Sequence, residues 1–267
     1  MRIAIAPAAG TPDGAANNLA LLDRCAAAAA AAQVDLLVLG ELFLCGADGG
    51  HGRCEPFDGP SLAAACTAAR NAGVALLFGF AERAGNAVYN AAAVIGPDGV
   101  PLGTYRKAHP GPHEKGRFAA GQGMPGVARI GGMTVGVLIG CDADFPEPAR
   151  DLALRGCDVI ALPALPVSAA GAPSRLLVAA RACENRVFVA CAAGADSRVL
   201  GPDGRPLVNT GAAACGLVVA DLDPAGRRPG PGAMDYLAER RPALYARLAE
   251  RHLERAPEPG AALRERT

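Results

Sequence analysis

Short apolar runs alternate with helix-length segments along almost the whole chain, and this alternation limits the fold more than any other feature. Arg2–Ala6, Val34–Leu39, Val74–Phe80, Val88–Ile95, Met133–Ile139, Asp158–Leu162, Val187–Cys191 and Gly216–Ala220 read as strands. Ala15–Ala32, Ser61–Asn71, Glu147–Arg155, Pro173–Glu184 and Tyr236–Arg251 read as helices, with Asn17 or Asn18 and Ser61 placed as N-caps. Strands this continuously apolar bury both faces, so the sheets must be covered by helices in a layered α/β fold.

A weak internal repeat adds to this. The stretch Val94-Ile95-Gly96-Pro97-Asp98-Gly99-Val100-Pro101-Leu102 closely matches Val199-Leu200-Gly201-Pro202-Asp203-Gly204-Arg205-Pro206-Leu207. Both read as a hairpin with a Pro-Asp-Gly turn. Hairpins resemble one another, and that alone would account for the match. The runs Asp35–Leu39 and Asp158–Leu162 recur in the same order, however, which favours two pseudo-symmetric αβ halves. No linker separates them, so residues 1–256 are expected to form a single domain, followed by a loose tail over 257–267 rich in Pro, Gly and charge.

Composition excludes several classes of function. Of 267 residues 51% are hydrophobic and 19% charged, enough apolar surface for a large core. Net charge is zero and no basic block occurs, which argues against nucleic-acid binding. The start of the chain reads as a strand rather than a signal peptide. The alanine run Ala26–Ala32, flanked by Asp23, Arg24 and Gln33, reads as a soluble helix rather than a membrane span. The nine cysteines show neither a CxxC pair nor metal-ligand spacing, which implies a cytoplasmic protein with free thiols and no bound metal.

Three strand ends carry candidate chemistry. Glu41 directly follows a buried strand, where a carboxylate needs a partner or a task. Lys107 closes the return strand of the first hairpin, and it is one of only two lysines among 26 basic residues. Gly140-Cys141-Asp142 follows the strand Met133–Ile139 and precedes a helix, the layout of a nucleophile elbow. A cysteine near a helix N-terminus has its thiolate favoured by the helix dipole. Each also has a plain structural reading: a capped glutamate, a surface lysine, an inert buried cysteine.

Together the three segments are specific. A glutamate after a strand, then Tyr105-Arg106-Lys107-Ala108-His109, then Asp142 with Phe145-Pro146-Glu147, resemble the nitrilase superfamily of carbon–nitrogen hydrolases. The likeness spans nearly the whole chain and includes Val88-Tyr89-Asn90, Phe118-Ala119-Ala120-Gly121 and Arg181-Ala182-Cys183-Glu184-Asn185. Tyr236-Leu237 and Arg240-Arg241-Pro242 are similar to the tail of small aliphatic amidases of the 5-aminopentanamidase type. The resemblance implies an αββα four-layer sandwich and a Glu-Lys-Cys site that acts on a small-molecule amide without cofactor or metal. It implies a homodimer as well. Glu41 matches its base, Lys107 its oxyanion-stabilising lysine, and Glu114 its second, substrate-placing glutamate.

The departure is at the nucleophile. Counting back from Phe145-Pro146-Glu147 and forward from Val135-Gly136-Val137 both place Gly140 where the family has its cysteine, with Cys141 one residue later. A shift of one residue moves a side chain by ~3 Å or more, and near-attack contact of ~3–3.5 Å does not tolerate that lightly. Three readings stay open: an amidase using Glu41, Lys107 and Cys141 with Gly140 lining the substrate site, a non-catalytic binding or regulatory relative, and a changed, non-covalent chemistry. Ala164-Leu165-Pro166 after Pro163, and a shortened stretch between Val189 and Pro202, imply a smaller or more apolar pocket. Glu147 and Arg150 are expected to pair around the elbow helix, Glu184 and Asn185 to hold the end of the fourth helix, and His109 to brace the lysine segment. His51, His113 and His252 are expected at the surface.

Overall fold

The computed structural model describes residues 1–11, 14–46, 53–124, 126–166, 173–210, 216–230 and 232–249. Contacts divide it into two units, Met1–Ala233 and Met234–Thr267. The tail at 257–267, His51 and His252 lie outside the described residues.

The first unit contains two six-stranded sheets. Its first half runs β1 (Arg2–Ile5), α1 (Ala15–Ala31), β2 (Leu36–Val38), α2 (Pro60–Ala72), β3 (Ala75–Ala84), β4 (Ala87–Ile95) and β5 (Pro101–Arg106). The second runs β6 (Val127–Ile130), β7 (Met133–Val137), α3 (Pro146–Leu154), β8 (Val159–Pro163), α4 (Arg175–Asn185), β9 (Phe188–Ala192), β10 (Arg198–Leu200), β11 (Pro206–Asn209) and β12 (Val218–Asp221). The sheets are ordered β12-β1-β2-β3-β4-β5 and β11-β10-β9-β8-β7-β6. β1 to β5 therefore correspond in order to β7 to β11.

The repeat in the sequence is thus a repeat in space, and matching residues make matching bonds. Asp35 Oδ2 accepts from the Arg2 amide at 2.6 Å and Asp158 Oδ2 from the Thr134 amide at 2.7 Å, each tying the foot of one parallel strand to its neighbour. In the hairpins the amides of Gly96 and Gly201 each donate across the turn at 2.8 Å, to the carbonyls of Val100 and Arg205. Asp98 and Asp203 each accept from the amide two residues on at 3.0 Å.

One apolar layer lies between the sheets, built from alternate residues such as Ile3, Ile5, Leu36 and Val38 of the first and Val135, Val137, Val159 and Ala161 of the second. The other face of the first sheet packs on α1 and α2 through Leu37, Leu39, Leu76 and Phe78 against Leu22, Ala26, Leu62 and Ala65. On the second sheet α4 packs on β9, and α3 packs on α4. This is the αββα sandwich. Each Leu, Ile or Phe so buried contributes about 1.5–3 kcal/mol.

The N-caps differ from expectation. α1 and α2 are capped by Gly14 and Gly59, because Gly leaves the entering backbone free and Pro60 fixes the first helical position of α2. Asn18 is instead buried, bonding the Thr11 backbone and donating to the Leu44 carbonyl at 3.1 Å. Ser61 bonds Glu55. β6 was not legible, since its exposed Val127 and Arg129 break the apolar pattern.

In the second unit the expected helix over Tyr236–Arg251 is absent across the described residues. A turn capped by the Asp235 carboxylate comes first, followed by a 3-10 segment, Pro242–Ala249, kinked at Tyr245. Pro242 has no amide to donate and disfavours a helical residue before it, which interrupts an α-helix there.

Gly79 of β3 fits the sheet to the loop that carries Glu41. A Cβ there would lie 2.3 Å from the Leu42 amide nitrogen and 2.8 Å from the Glu41 backbone. Gly79→Ala is expected to lower stability by about 1–3 kcal/mol, the cost of forcing atoms into a packed interior, measured as a shifted urea midpoint.

Candidate active site

The strand ends meet at one edge of the sandwich. Glu41 follows β2 through Gly40, and Lys107 follows β5 directly, its amide donating to the Asn90 carbonyl at 2.8 Å. Glu114 lies on the next turn. All three side chains are buried.

Lys107 Nζ donates to Glu41 Oε1 and to Glu114 Oε2, each at 2.6 Å. Asn90 Nδ2 closes the ring from the other side, at 2.7 Å from Glu41 Oε1 and 2.7 Å from Glu114 Oε1. Backbone amides complete both carboxylates: Leu165 donates to Glu41 Oε2 at 3.1 Å, and Gly111 to Glu114 Oε2 at 2.7 Å. Asn90 Oδ1 is buried and takes no bond within the protein. The sequence offered a signal for Asn90, a lone amide inside the apolar strand Ala87–Ile95, but its role needed the fold.

The two carboxylates are tuned apart. Burial pushes Glu41 above the usual carboxylate range, Glu114 adds to this, and Lys107 only partly offsets it. For Glu114 burial is outweighed by Lys107 and by bonds from Gly111 and Asn90, so it is held below that range. Burial disfavours the Lys107 ammonium, but Glu41 and Glu114 overcome this and keep it charged. The two environments diverge: the proton affinity of Glu41 is raised and that of Glu114 lowered.

Gly140 lies against this cluster. It starts the 3-10 turn Gly140–Asp144 with φ of 47°, a left-handed conformation that favours glycine. A Cβ built on it would come 2.6 Å from Glu41 Oε2 and 3.0 Å from Lys107 Nζ, so the cluster occupies the space a side chain would need. Cys141 is buried with its Sγ packed on the Glu114 loop, 3.3 Å from where a Gly111 Cβ would stand. Burial pushes its thiol up, Lys107 draws it down, and Glu41, Glu114 and Asp144 push it further up. The favouring of a thiolate by a helix N-terminus, expected from sequence, does not prevail here, because burial and three carboxylates outweigh it.

The turn is held from several sides, and the parts of Asp142 and Arg181 in this were not foreseen. Asp142, fully buried, accepts from Tyr105 Oη at 3.0 Å and from the amides of His109 at 2.9 Å and Ile139 at 3.2 Å. His109 Nδ1 lies 2.8 Å from the same carboxylate, and its ring stacks on Phe145 at 3.9 Å. His109 thus braces the lysine segment onto the elbow. From α4, Arg181 donates to the carbonyls of Ala143 and Asp144 at 3.0 and 3.1 Å. Glu184 pairs with Arg181, and Asn185 donates to the Arg181 carbonyl. Arg150 donates to the Glu184 carbonyl at 2.8 Å, where the C-terminal end of α4 attracts a cation. His113 is exposed, as the sequence suggested.

Among the described residues no group of three or more His, Cys, Asp or Glu side chains could hold a metal ion, and no helix is long and apolar enough to cross a membrane.

A family model described as carbon–nitrogen hydrolase matches residues 2–230. An (R)-stereoselective amidase from Pseudomonas sp is 34% identical over 94% of this chain and 95% of its own. A protein described as a hydrolase in the pqqF 5'region of Pseudomonas protegens is also 34% identical, over 94% of this chain and 93% of its own. An active-site variant of the Nesterenkonia AN1 amidase, from the nitrilase superfamily, superposes with a TM-score of 0.77 at 30% identity, covering 91% of this chain and 95% of that one. In another structure of that amidase the acetamide moiety of fluoroacetamide is added covalently at the active-site cysteine.

Two measurements check this geometry. Asp142→Ala orphans buried donors at about 1–3 kcal/mol each, so a stability loss of at least ~2 kcal/mol is expected in denaturant unfolding. Alkylation of Cys141 by iodoacetamide, followed on its peptide by mass spectrometry, is expected to reach half its maximal rate above the ordinary thiol value of ~8.5. A midpoint at or below that value would contradict the balance of charges described.

Proposed function

The chain belongs to the carbon–nitrogen hydrolase family, in the nitrilase superfamily, and from that premise we propose that it hydrolyses a small amide with Cys141 as the displaced nucleophile. The observation that carries this reading is the Lys107 ammonium held between two carboxylates with the Cys141 thiol inside the field of all three.

In this mechanism Glu41 takes the thiol proton as Sγ attacks the amide carbon. An ammonium has three donors and two are committed to Glu41 and Glu114, which leaves one N–H of Lys107 for the oxyanion. Collapse of the tetrahedral intermediate breaks the carbon–nitrogen bond, and Glu41 returns the proton to the departing amine. Water, deprotonated by Glu41, then cleaves the thioester to release the acid and restore the thiol. Glu114 keeps Lys107 charged and in place. Gly140, with no side chain, lets the backbone of the turn close onto Glu41 and Lys107. The proposal keeps the cytoplasm as the compartment, on the cysteine pattern. It keeps a homodimer as the working form, on the family resemblance and on exposed Phe145, Leu154 and Leu176 of α3 and α4 and their approaches.

One observation favours a second reading. Burial raises the Cys141 thiol, and the cluster fills the space beside Gly140, as in a scaffold that binds an amide without turning it over. Ammonia release from a panel of small aliphatic amides separates the two. The proposal expects turnover by the wild type, a loss of at least ~100-fold in Cys141→Ala, and an acetamide adduct mapping to Cys141 after fluoroacetamide treatment. A wild type that releases no ammonia and forms no adduct sinks the nucleophile reading and leaves binding as the function.

A further inference from the structure

A second polar feature lies at the same edge of the fold. The carboxyl ends of the parallel strands β8 and β9 lead to Leu165, which bonds Glu41, and to residues 193–197. α4 begins there, β10 starts there with Arg198 paired to Cys191, and β11 ends there with Asn209 paired to Arg198. These residues enclose a cleft of about 440 Å³ lined by Arg175, Asp196, Ser197, Arg198, Asn209 and Thr210. Binding clefts of α/β sheets favour this end of the strands.

The charge in the cleft is unbalanced. Arg175 is ion-paired with Asp196. Arg198 is half-buried, stands within the field of Arg175, and has no carboxylate partner among the described residues. Burying a guanidinium without a counter-ion is costly. The neighbouring hydroxyls do not compensate it, because Ser197 and Thr210 are committed to the backbone carbonyls of Gly194 and Ala195. The two arginines and Asp196 leave one net positive charge facing the cleft.

We propose that this cleft is a binding site for a small carboxylate, held by the Arg198 guanidinium with Arg175 beside it. The planar fork of arginine matches a carboxylate with two parallel N–H···O bonds. One carboxylate neutralises the one surplus charge, whereas a phosphate near −2 would be left partly unbalanced beside Asp196. None of Glu41, Lys107, Glu114 or Cys141 lines the cleft, and buried Cys191 of β9 feels both Arg198 and Glu41. Binding there does not require Cys141 to react, so this inference stands or falls apart from the proposed mechanism.

Isothermal titration of the protein with butyrate, a monocarboxylate, and separately with inorganic phosphate, tests it. Saturable butyrate binding is expected, weakened roughly tenfold or more in Arg198→Gln through loss of a charge-assisted pair. Arg198→Lys, which keeps the charge but not the fork, should fall between them. Arg24→Gln removes an exposed charge from α1, which does not line the cleft, and should bind like the wild type. Unchanged circular dichroism would show that the Arg198 variants fold. If they do not, competition between butyrate and phosphate on the wild type still decides the ligand class. Phosphate binding more tightly than butyrate, no saturable binding of either, or equal losses in Arg198→Gln and Arg24→Gln would each overturn the proposal.

Discussion

Lys107 places a single ammonium between two buried carboxylates, and the arrangement of this edge of the fold depends on that contact. Two like charges at this distance, out of water, repel strongly enough that one would protonate or the site would open. The shared cation makes their proximity tolerable, and Asn90 reinforces it by donating to both. The result is asymmetric. Glu114 has the better set of donors and stays ionised, while Glu41 is left with the raised proton affinity. A buried charge cluster of this kind is weak evidence for stability, but it fixes where charge sits.

The elbow adapts to the cluster. With Gly140 in a left-handed conformation, the backbone comes close to Glu41 and Lys107, and no side chain intervenes. The turn is then secured from two directions, by Asp142 to the β5 segment and by Arg181 to α4. These bonds join both sheets and a covering helix at one point. A change in any of them would loosen the turn that holds Gly140 and Cys141 beside the ammonium.

The sandwich supplies the frame. Two halves with equivalent strand orders place the ends of β2 and β8 against one another across the interior, and Glu41 meets the Leu165 amide at that junction. The two halves differ at equivalent places. Where the first half has Gly40 and Glu41, the second has Pro163 and Ala164. The first contributes the carboxylate, and the second contributes the Leu165 amide that bonds it.

Much of this was legible in the sequence. Apolar runs and the repeated Pro-Asp-Gly hairpins determined a two-fold layered α/β fold, because burial pattern and turn chemistry are local properties. Strand ends singled out Glu41, Lys107 and Cys141, because a local pattern can locate a strand end, whereas Glu114 and the place of Gly140 came from the family resemblance. The partners of those residues were not legible. Asn90, Asp142 and the Leu165 amide act across 24 to 124 residues of chain, and no local signal gives the direction of a side chain at such separations. The caps of α1 and α2 and the broken C-terminal helix likewise depended on Pro and Gly geometry competing with propensity. The thiol illustrates the difference most plainly. Sequence placed Cys141 at a helix start, where a dipole lowers its proton affinity, and tertiary packing surrounded it with low-dielectric protein and three carboxylates, which raise it.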